Sequence, residues 1–346
     1  MPEKKIGYAV VGLGIGRAHC DAVYNSKNAE LIAVCDLLEE KLESAKQAYE
    51  GVLTYKSFDE MLENTDIDIV SVCVPSGLHS EFSVRALEKG KHILVEKPVE
   101  ITVEKAMEIE EAAKRTGLKA GVIHQNRFNA VMKPVKEAVE EGRFGKIILG
   151  NFAVKWFRDQ NYYDSGGWRG TWEMDGGGSL MNQAVHTVDL MQWLMGDVKS
   201  VVSVSGVYNH KIETEDLTVS IVKFESGAVA SFTSSTCCYP GICTDIQLYG
   251  EKGSVEIDGD SLKLWKIAGG DSFEENDMLE TYGGGNGAAA ALDPSLAVGH
   301  SVQVEDMISA VIENREPLVT PAEAIKSVRI VRAVYESAET GREVFL

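Results

Sequence analysis

No apolar run in the chain approaches the roughly 20 residues that a membrane-spanning helix needs, so no membrane is expected as a partner. The first residues, MPEKKIGYAVVGLGIGRAH, have the charge-then-apolar order of a secretory leader. Glycines break that run and Arg17 and His19 follow it closely, so a leader is not expected either. Positive charge is scarce: 34 Lys and Arg stand against 53 Asp and Glu, a net charge of −19. So acidic a surface repels nucleic acid, which excludes it as a partner. An anionic small substrate is not excluded, because one pocket can be basic within an acidic whole. Cysteines are few and scattered: Cys20, Cys35, Cys73, Cys237, Cys238 and Cys243. They offer no two ligand pairs at zinc spacing, so no metal is expected. The expectation is reduced thiols in a cytoplasmic protein.

What is present begins with length. A chain of 346 residues exceeds one ordinary core, so two domains are expected, divided at 1–124 and 125–346. In the first, short Val- and Ile-rich runs (IGYAVV, ELIAVCD, DIVSVCV, HILVE, LKAGVI) alternate with helical patterns at 17–27, 38–49, 79–89 and 102–116. That alternation predicts a parallel sheet covered by helices. In the second, a helix at 131–141 and a strand at 146–158 precede the turn Gly176-Gly177-Gly178 and a further helix. Strands then follow at 200–209, 216–224, 228–236, 244–250, 253–258 and 261–266. Strands in such succession predict a mostly antiparallel sheet. YGGGNGAAAALDPSLAVG at 282–299 reads as a loop. Two helices close the chain, the last with Thr320 as N-cap, Pro321 in its first turn, Glu323 completing a capping box and Gly341 past its end.

Two stretches carry chemistry. VVGLGIGRAH follows the first strand, with Gly12, Gly14 and Gly16 one residue short of the usual GxGxxG spacing. Gly12 and Gly14 permit a tight turn against a pyrophosphate, and the helix start adds partial positive charge. Asp36 ends the second strand, placed to bind the adenosine ribose hydroxyls; its plainer role is a cap on the next helix. Leu37 and Leu38 follow, with no Arg to meet a 2′-phosphate, which favours NAD over NADP. The other stretch runs from Gly176 to Gly196 without Lys, Arg or Glu. Asn182, His186 and Asp189 recur there at spacings of four and three, which places them on one side of an α-helix that is otherwise largely apolar.

In order along the chain come the glycine turn, VPSGLH at 74–79, EKP at 96–98, WRG at 168–170 and GGGSLMNQAVHTVD at 176–189. This ordered set resembles the Gfo/Idh/MocA family (glucose–fructose oxidoreductase, inositol dehydrogenase, rhizopine catabolism) over nearly the whole chain. The resemblance implies an α/β protein: an N-terminal doubly wound Rossmann domain that binds NAD, and a C-terminal α+β domain on an open, mostly antiparallel sheet. It implies that Lys97 and His186 are catalytic at a sugar hydroxyl or ketone. Which of the two takes the proton stays open; His titrates near neutrality and Lys can steady an alkoxide. Pro98 forces Lys97 out of the helical region and allows a cis bond. The cofactor contacts implied are Gly12, Gly14, Ile15, Gly16, Asp36, Pro75, Ser76, His79, Glu96, Lys97, Trp168 and Arg169, with Trp168 also readable as structural.

Many family members have Asp where this chain has Asn182. LMNQ-x-x-H, HQNRFN at 124–129 and WRGTW at 168–172 look more like the branch that oxidises UDP-N-acetyl-hexosamines or their uronates at C3. Substrate contacts are then expected at Arg127, Asn182 and Asp189. Arg127 could meet a carboxylate or diphosphate, or form a salt bridge at the domain linker. Asp189 could orient His186 or bind a sugar hydroxyl. A dehydrogenase of inositol or free sugars is the alternative. A non-catalytic NAD-binding regulator is a third reading, disfavoured because Lys97 and His186 are both present. The strands at 200–266 offer a face for a homodimer or homotetramer.

Overall fold

The computed structural model describes residues 5–241, 243–284 and 298–346. These divide into two compact units, one built from residues up to Gln125 and the segment ending at Ile325, the other from Asn126 onward and from Lys326 to the end.

In the first unit the elements alternate: β1 (Ile6–Val11), α1 (Gly16–Tyr24), β2 (Ala29–Cys35), α2 (Glu39–Ala48), β3 (Leu53–Tyr55), α3 (Phe58–Leu62), β4 (Ile69–Val72), α4 (His79–Glu88), β5 (His92–Val95), α5 (Val103–Thr116) and β6 (Ala120–Val122). The strands lie in the order β3-β2-β1-β4-β5-β6, every pair parallel, which is the doubly wound arrangement expected. β1 and β4 are apolar runs because helices cover both faces of a parallel sheet. α5 starts where the sequence places it: Thr102 Oγ1 accepts the Lys105 amide, and Gly117 ends the helix at φ +70°. β3 and α3 were not foreseen; at three and five residues they are too short for periodicity to register.

The second unit contains α6 (Met132–Glu140), β7 (Ile147–Lys155), α7 (Gln160–Asp164), a π-helical turn at Ser179–Gln183, α8 (Val185–Met195), β8 (Val198–Gly206), β9 (Leu217–Phe224), β10 (Val229–Ser235), β11 (Cys243–Gly250), β12 (Gly253–Asp258), β13 (Ser261–Ile267) and α9 (Ser272–Tyr282). α10 (Val298–Ile312), α11 (Pro321–Thr340) and β14 (Val344–Phe345) complete the chain. The eight-stranded sheet runs β13-β12-β11-β7-β10-β9-β8-β14, antiparallel throughout except for β7 against β10. β9 alternates exposed and buried residues, so one face of the sheet is covered and the other open. Val202, Val204, Val219, Ile221 and Val229 stand exposed on β8, β9 and β10.

α9 was not expected, and most of the expected loop, 285–297, lies outside the described residues. α10 belongs to the first unit although it follows the second in sequence. Its Val304, Met307 and Ile308 are fully buried in one cluster with Cys20 and Val23 of α1. Burial of three such side chains contributes on the order of 5 kcal/mol, enough to hold the helix there. Thr320 Oγ1 accepts the Glu323 amide at the start of α11, and Gly341 follows that helix at φ +65°. Among the described residues no helix is long and apolar enough to cross a membrane. Five described cysteines, Cys20, Cys35, Cys73, Cys237 and Cys238, are free thiols.

Candidate functional site

The first unit gathers its expected residues at the carboxyl ends of its strands. Gly12 sits at φ +88°, and a Cβ there would lie 2.4 Å from the Cys73 carbonyl oxygen, so only glycine fits. Gly16 packs as tightly on Val10, whereas a Cβ on Gly14 would meet no protein atom within 4 Å. Gly14 and Ile15 are exposed just before α1, whose first turn holds no acidic residue. The turn thus presents bare backbone and a helix start, which fits a pyrophosphate. Asp36 ties the turn to the next strand end: Oδ2 accepts the Leu13 amide at 2.7 Å and Oδ1 the Leu38 amide at 2.9 Å. Lys41 also reaches Asp36 Oδ2, at 3.2 Å. Asp36 is thus not the cap of the next helix, which starts from Leu38 without a side-chain cap, but fastens the turn before it and sets a carboxylate at the expected place.

The other two cofactor motifs are bound together by side chains. His79 opens α4, after the 3-10 turn Ser76–Leu78 that follows Pro75. Its ring is buried between two carbonyl oxygens, Nδ1 to Pro98 at 2.7 Å and Nε2 to Val74 at 2.9 Å. Burial lowers the imidazole's pKa, against the opposing pull of those carbonyls. Glu96 is also buried. Its Oε1 meets His19 Nε2 at 2.9 Å and His300 Nε2 at 3.1 Å, and its Oε2 accepts the Lys97 amide. Burial alone would raise this carboxyl, but the two histidines hold it well below the usual range. His19 continues through Ser71 Oγ to the Tyr8 hydroxyl. His79 and Glu96 thus engage protein groups on either side of Lys97, which is half-buried, and the Lys97–Pro98 peptide is cis.

In the second unit the expected α-helix is not continuous through the polar stripe. Ser179–Gln183 winds as a π-helical turn, the Ala184 amide bonding back to Ser179, before α8 begins at Val185. The wider turn shifts the phase of Asn182 relative to His186 and Asp189. Asn182 donates to Asp175 Oδ1, and its own Oδ1 accepts Gln183 Nε2 at 2.7 Å. His186 is buried in the first turn of α8. Asp189 instead forms a two-bond pair with Arg127, Nε at 2.7 Å and Nη2 at 2.6 Å, both side chains buried. The substrate contacts expected at Arg127 and Asp189 are thus each other's partners, a carboxylate of the same unit taking the Nε–Nη2 edge of the guanidinium. Trp168 and Arg169 lie on the loop after α7, with Arg169 over the Trp168 ring at 5.2 Å.

Sequence reasoning missed what holds the polar turn. Glu215 is buried and accepts the Gly178 amide at 2.8 Å and the Leu180 amide at 2.7 Å. Tyr335 of α11 bonds to the same carboxyl and also accepts the Met181 amide. Burial pushes the Glu215 carboxyl up to about 7, although the Leu180 and Gly178 amides pull the other way. A Cβ on Gly178 would stand 1.8 Å from the Glu215 carbonyl oxygen. The available signal was a Glu-Asp pair directly before a strand that otherwise alternates cleanly.

Residues 6–124 match the NAD-binding Rossmann fold of an oxidoreductase family, and residues 136–346 match that family's C-terminal alpha/beta domain. The crystal structure of the WlbA dehydrogenase from Bordetella pertussis in complex with NADH and UDP-GlcNAcA is similar at a TM-score of 0.91 and 32% identity, covering 100% of this chain and 99% of that one. The WlbA enzyme from Chromobacterium violaceum, also with NADH and UDP-GlcNAcA, gives 0.89 and 36%, covering 100% and 97%. The myo-inositol 2-dehydrogenase of Thermotoga maritima is 26% identical over 72% of this chain and 74% of its own length.

Proposed function

We propose a substrate for a chain that belongs to the Gfo/Idh/MocA oxidoreductase family and carries its NAD-binding Rossmann domain. The reaction is hydride transfer between NAD and a hydroxyl-bearing carbon of a UDP-N-acetyl-hexosamine or its uronate. The observation that carries this reading is full-length similarity, at 32% and 36%, to two dehydrogenases crystallised with NADH and UDP-GlcNAcA. Similarity to the myo-inositol enzyme is lower and spans about three-quarters of either chain.

NAD, when bound, supplies the hydride acceptor. The fit rests on the bare turn at Gly14, the helix start behind it and the carboxylate of Asp36, with Pro75 and Ser76 on the neighbouring strand-end loop. We assign the reacting oxygen to Lys97 and His186. As hydride leaves carbon, one of them takes the hydroxyl proton and the other steadies the developing charge. His79 and Glu96 place Lys97 rather than meet the cofactor with their own side chains. Asn182 keeps its spot neutral beside an anionic substrate and donates to Asp175, which an ionised Asp at 182 could not do.

The test is turnover of UDP-GlcNAc, UDP-GlcNAcA and myo-inositol with NAD, followed by NADH absorbance. The nucleotide sugars are expected to give the higher kcat/KM. Preference for myo-inositol overturns the substrate and leaves the dehydrogenase; no turnover of any polyol or sugar favours the regulator. The exposed face of β8, β9 and β10 is proposed to join copies of the chain. Ile221→Lys is then expected to lower the mass measured by light scattering, and an unchanged mass refutes that interface.

A further inference from the structure

Among the described residues neither Arg158 nor Arg169 forms an ion pair. Arg158 Nη2 bonds to Gln183 Oε1 at 3.0 Å, and Arg169 Nη1 to Ser165 Oγ at 3.1 Å, both neutral oxygens. Arg158 Nε is buried and has no hydrogen-bond partner. Yet both guanidinium groups are drawn to one aromatic ring, lying 4.9 and 4.8 Å from the centre of Tyr162. Arg158 lies over Trp156 as well, at 5.5 Å. In a chain with 53 acidic side chains against 34 basic ones, two cations share one ring and neither meets a carboxylate. A half-buried guanidinium group that hydrogen-bonds only to neutral oxygens has its charge uncompensated, which an anionic ligand offsets.

We propose that Arg158 and Arg169 form an oxyanion subsite for the substrate, taking the carboxylate or the diphosphate of a nucleotide sugar. Planar guanidinium forks match either group, and stacking on aromatic faces fixes their orientation before the ligand arrives. The subsite is wired to the polar turn. Gln183, which accepts from Arg158, donates from Nε2 to Asn182 Oδ1 at 2.7 Å and to the Tyr162 hydroxyl at 2.8 Å. Gln183 thus links Arg158 to Asn182, in the turn that leads into the helix of His186. Arg127, the cation the sequence singled out for this task, is ion-paired with Asp189 along its Nε–Nη2 edge. The name of the ligand rests on the nucleotide-sugar reading; its charge does not. Arg169 carries a competing expectation, contact with the cofactor, which the experiment separates.

The experiment is calorimetric titration of the NAD-loaded full chain with UDP, with D-glucuronate and with neutral D-glucose. The parent is expected to bind at least one of the two anions and to bind glucose no better. A preference for UDP identifies the diphosphate, and a preference for glucuronate the carboxylate. Arg158→Gln should weaken that anion by about tenfold or more with NAD affinity unchanged, and Arg169→Gln should weaken it likewise whatever it does to NAD. Arg158→Lys and Arg169→Lys, which keep the charge and lose the fork, should fall between; they also serve if a Gln variant does not fold. Anion affinity equal to the parent's, a parent that binds neither anion, or a loss that falls on NAD alone overturns the subsite. If no nucleotide sugar is oxidised while the anion still binds through these arginines, the substrate reading fails and the subsite stands.

Discussion

The two glycine-rich turns precede helices and both carry proposed function, but they are held in different ways. The turn at Gly12–Gly16 is made by its own backbone and the strands beside it, and among the described residues the Asp36 side chain fastens it. The turn at Gly176–Gln183 is held from outside: Glu215 takes three of its amides, two on its carboxyl and one on its carbonyl, and Tyr335 a fourth, from 35 to 154 residues away. The first leaves its tip bare for a ligand. The second spends its glycines on close approach to protein and presents side chains instead. A glycine-rich turn is therefore not one kind of site; what surrounds the glycine decides whether it serves a ligand or the packing.

The contrast is sharpest in stability. Gly178→Ala places a Cβ 1.8 Å from a carbonyl oxygen and should cost at least about 3 kcal/mol or prevent folding. Gly14→Ala meets nothing and should shift stability by less than about 1 kcal/mol, while weakening NAD by roughly tenfold. Thermal denaturation and NAD titration of both variants test the pair; equal stability losses would erase the distinction.

Lys97→Met should leave NAD affinity intact and reduce kcat by about 100-fold, if the side chain serves the reacting oxygen as proposed. Turnover like the parent's would remove Lys97 from the chemistry.

Glu215 makes the second turn respond to pH. Its carboxyl is raised from 4.5 to about 7, so the folded protein holds a proton there that the unfolded chain has released. This group favours the folded state fully below pH 4.5, and that contribution is lost as pH rises through 7, at up to about 1.4 kcal/mol per unit. In Glu215→Gln that slope should vanish, as urea denaturation between pH 5 and 8 would reveal. A slope unchanged in the variant assigns it elsewhere.

The smallest effect is expected at the first turn's fastening. Asp36→Ala removes the carboxylate that opposes a 2′-phosphate and releases Lys41, so the preference for NAD over NADP should narrow by about tenfold. Measured dissociation constants for both cofactors decide this; equal affinities in the parent already defeat the premise.

Much of this was legible in the sequence wherever the cause is local. The parallel order of the first sheet follows from alternating apolar runs and helical patterns, the starts of α5 and α11 from Thr102 and Thr320, and the nucleotide turn from glycine spacing and an acid at the second strand's end. These depend on backbone conformation and burial period, which neighbouring residues set. The tertiary structure alone decided the rest. α10 returns to the first unit because Val304, Met307 and Ile308 complete a core begun by α1. Arg127 and Asp189, 62 residues apart, neutralise each other, and Glu96 is claimed by His19 and by His300. A π-helical turn winds the segment of Asn182 where the spacing implied one continuous α-helix. A buried charge or amide must find a partner wherever packing supplies one, and spacing along the chain carries no information about a partner that distant.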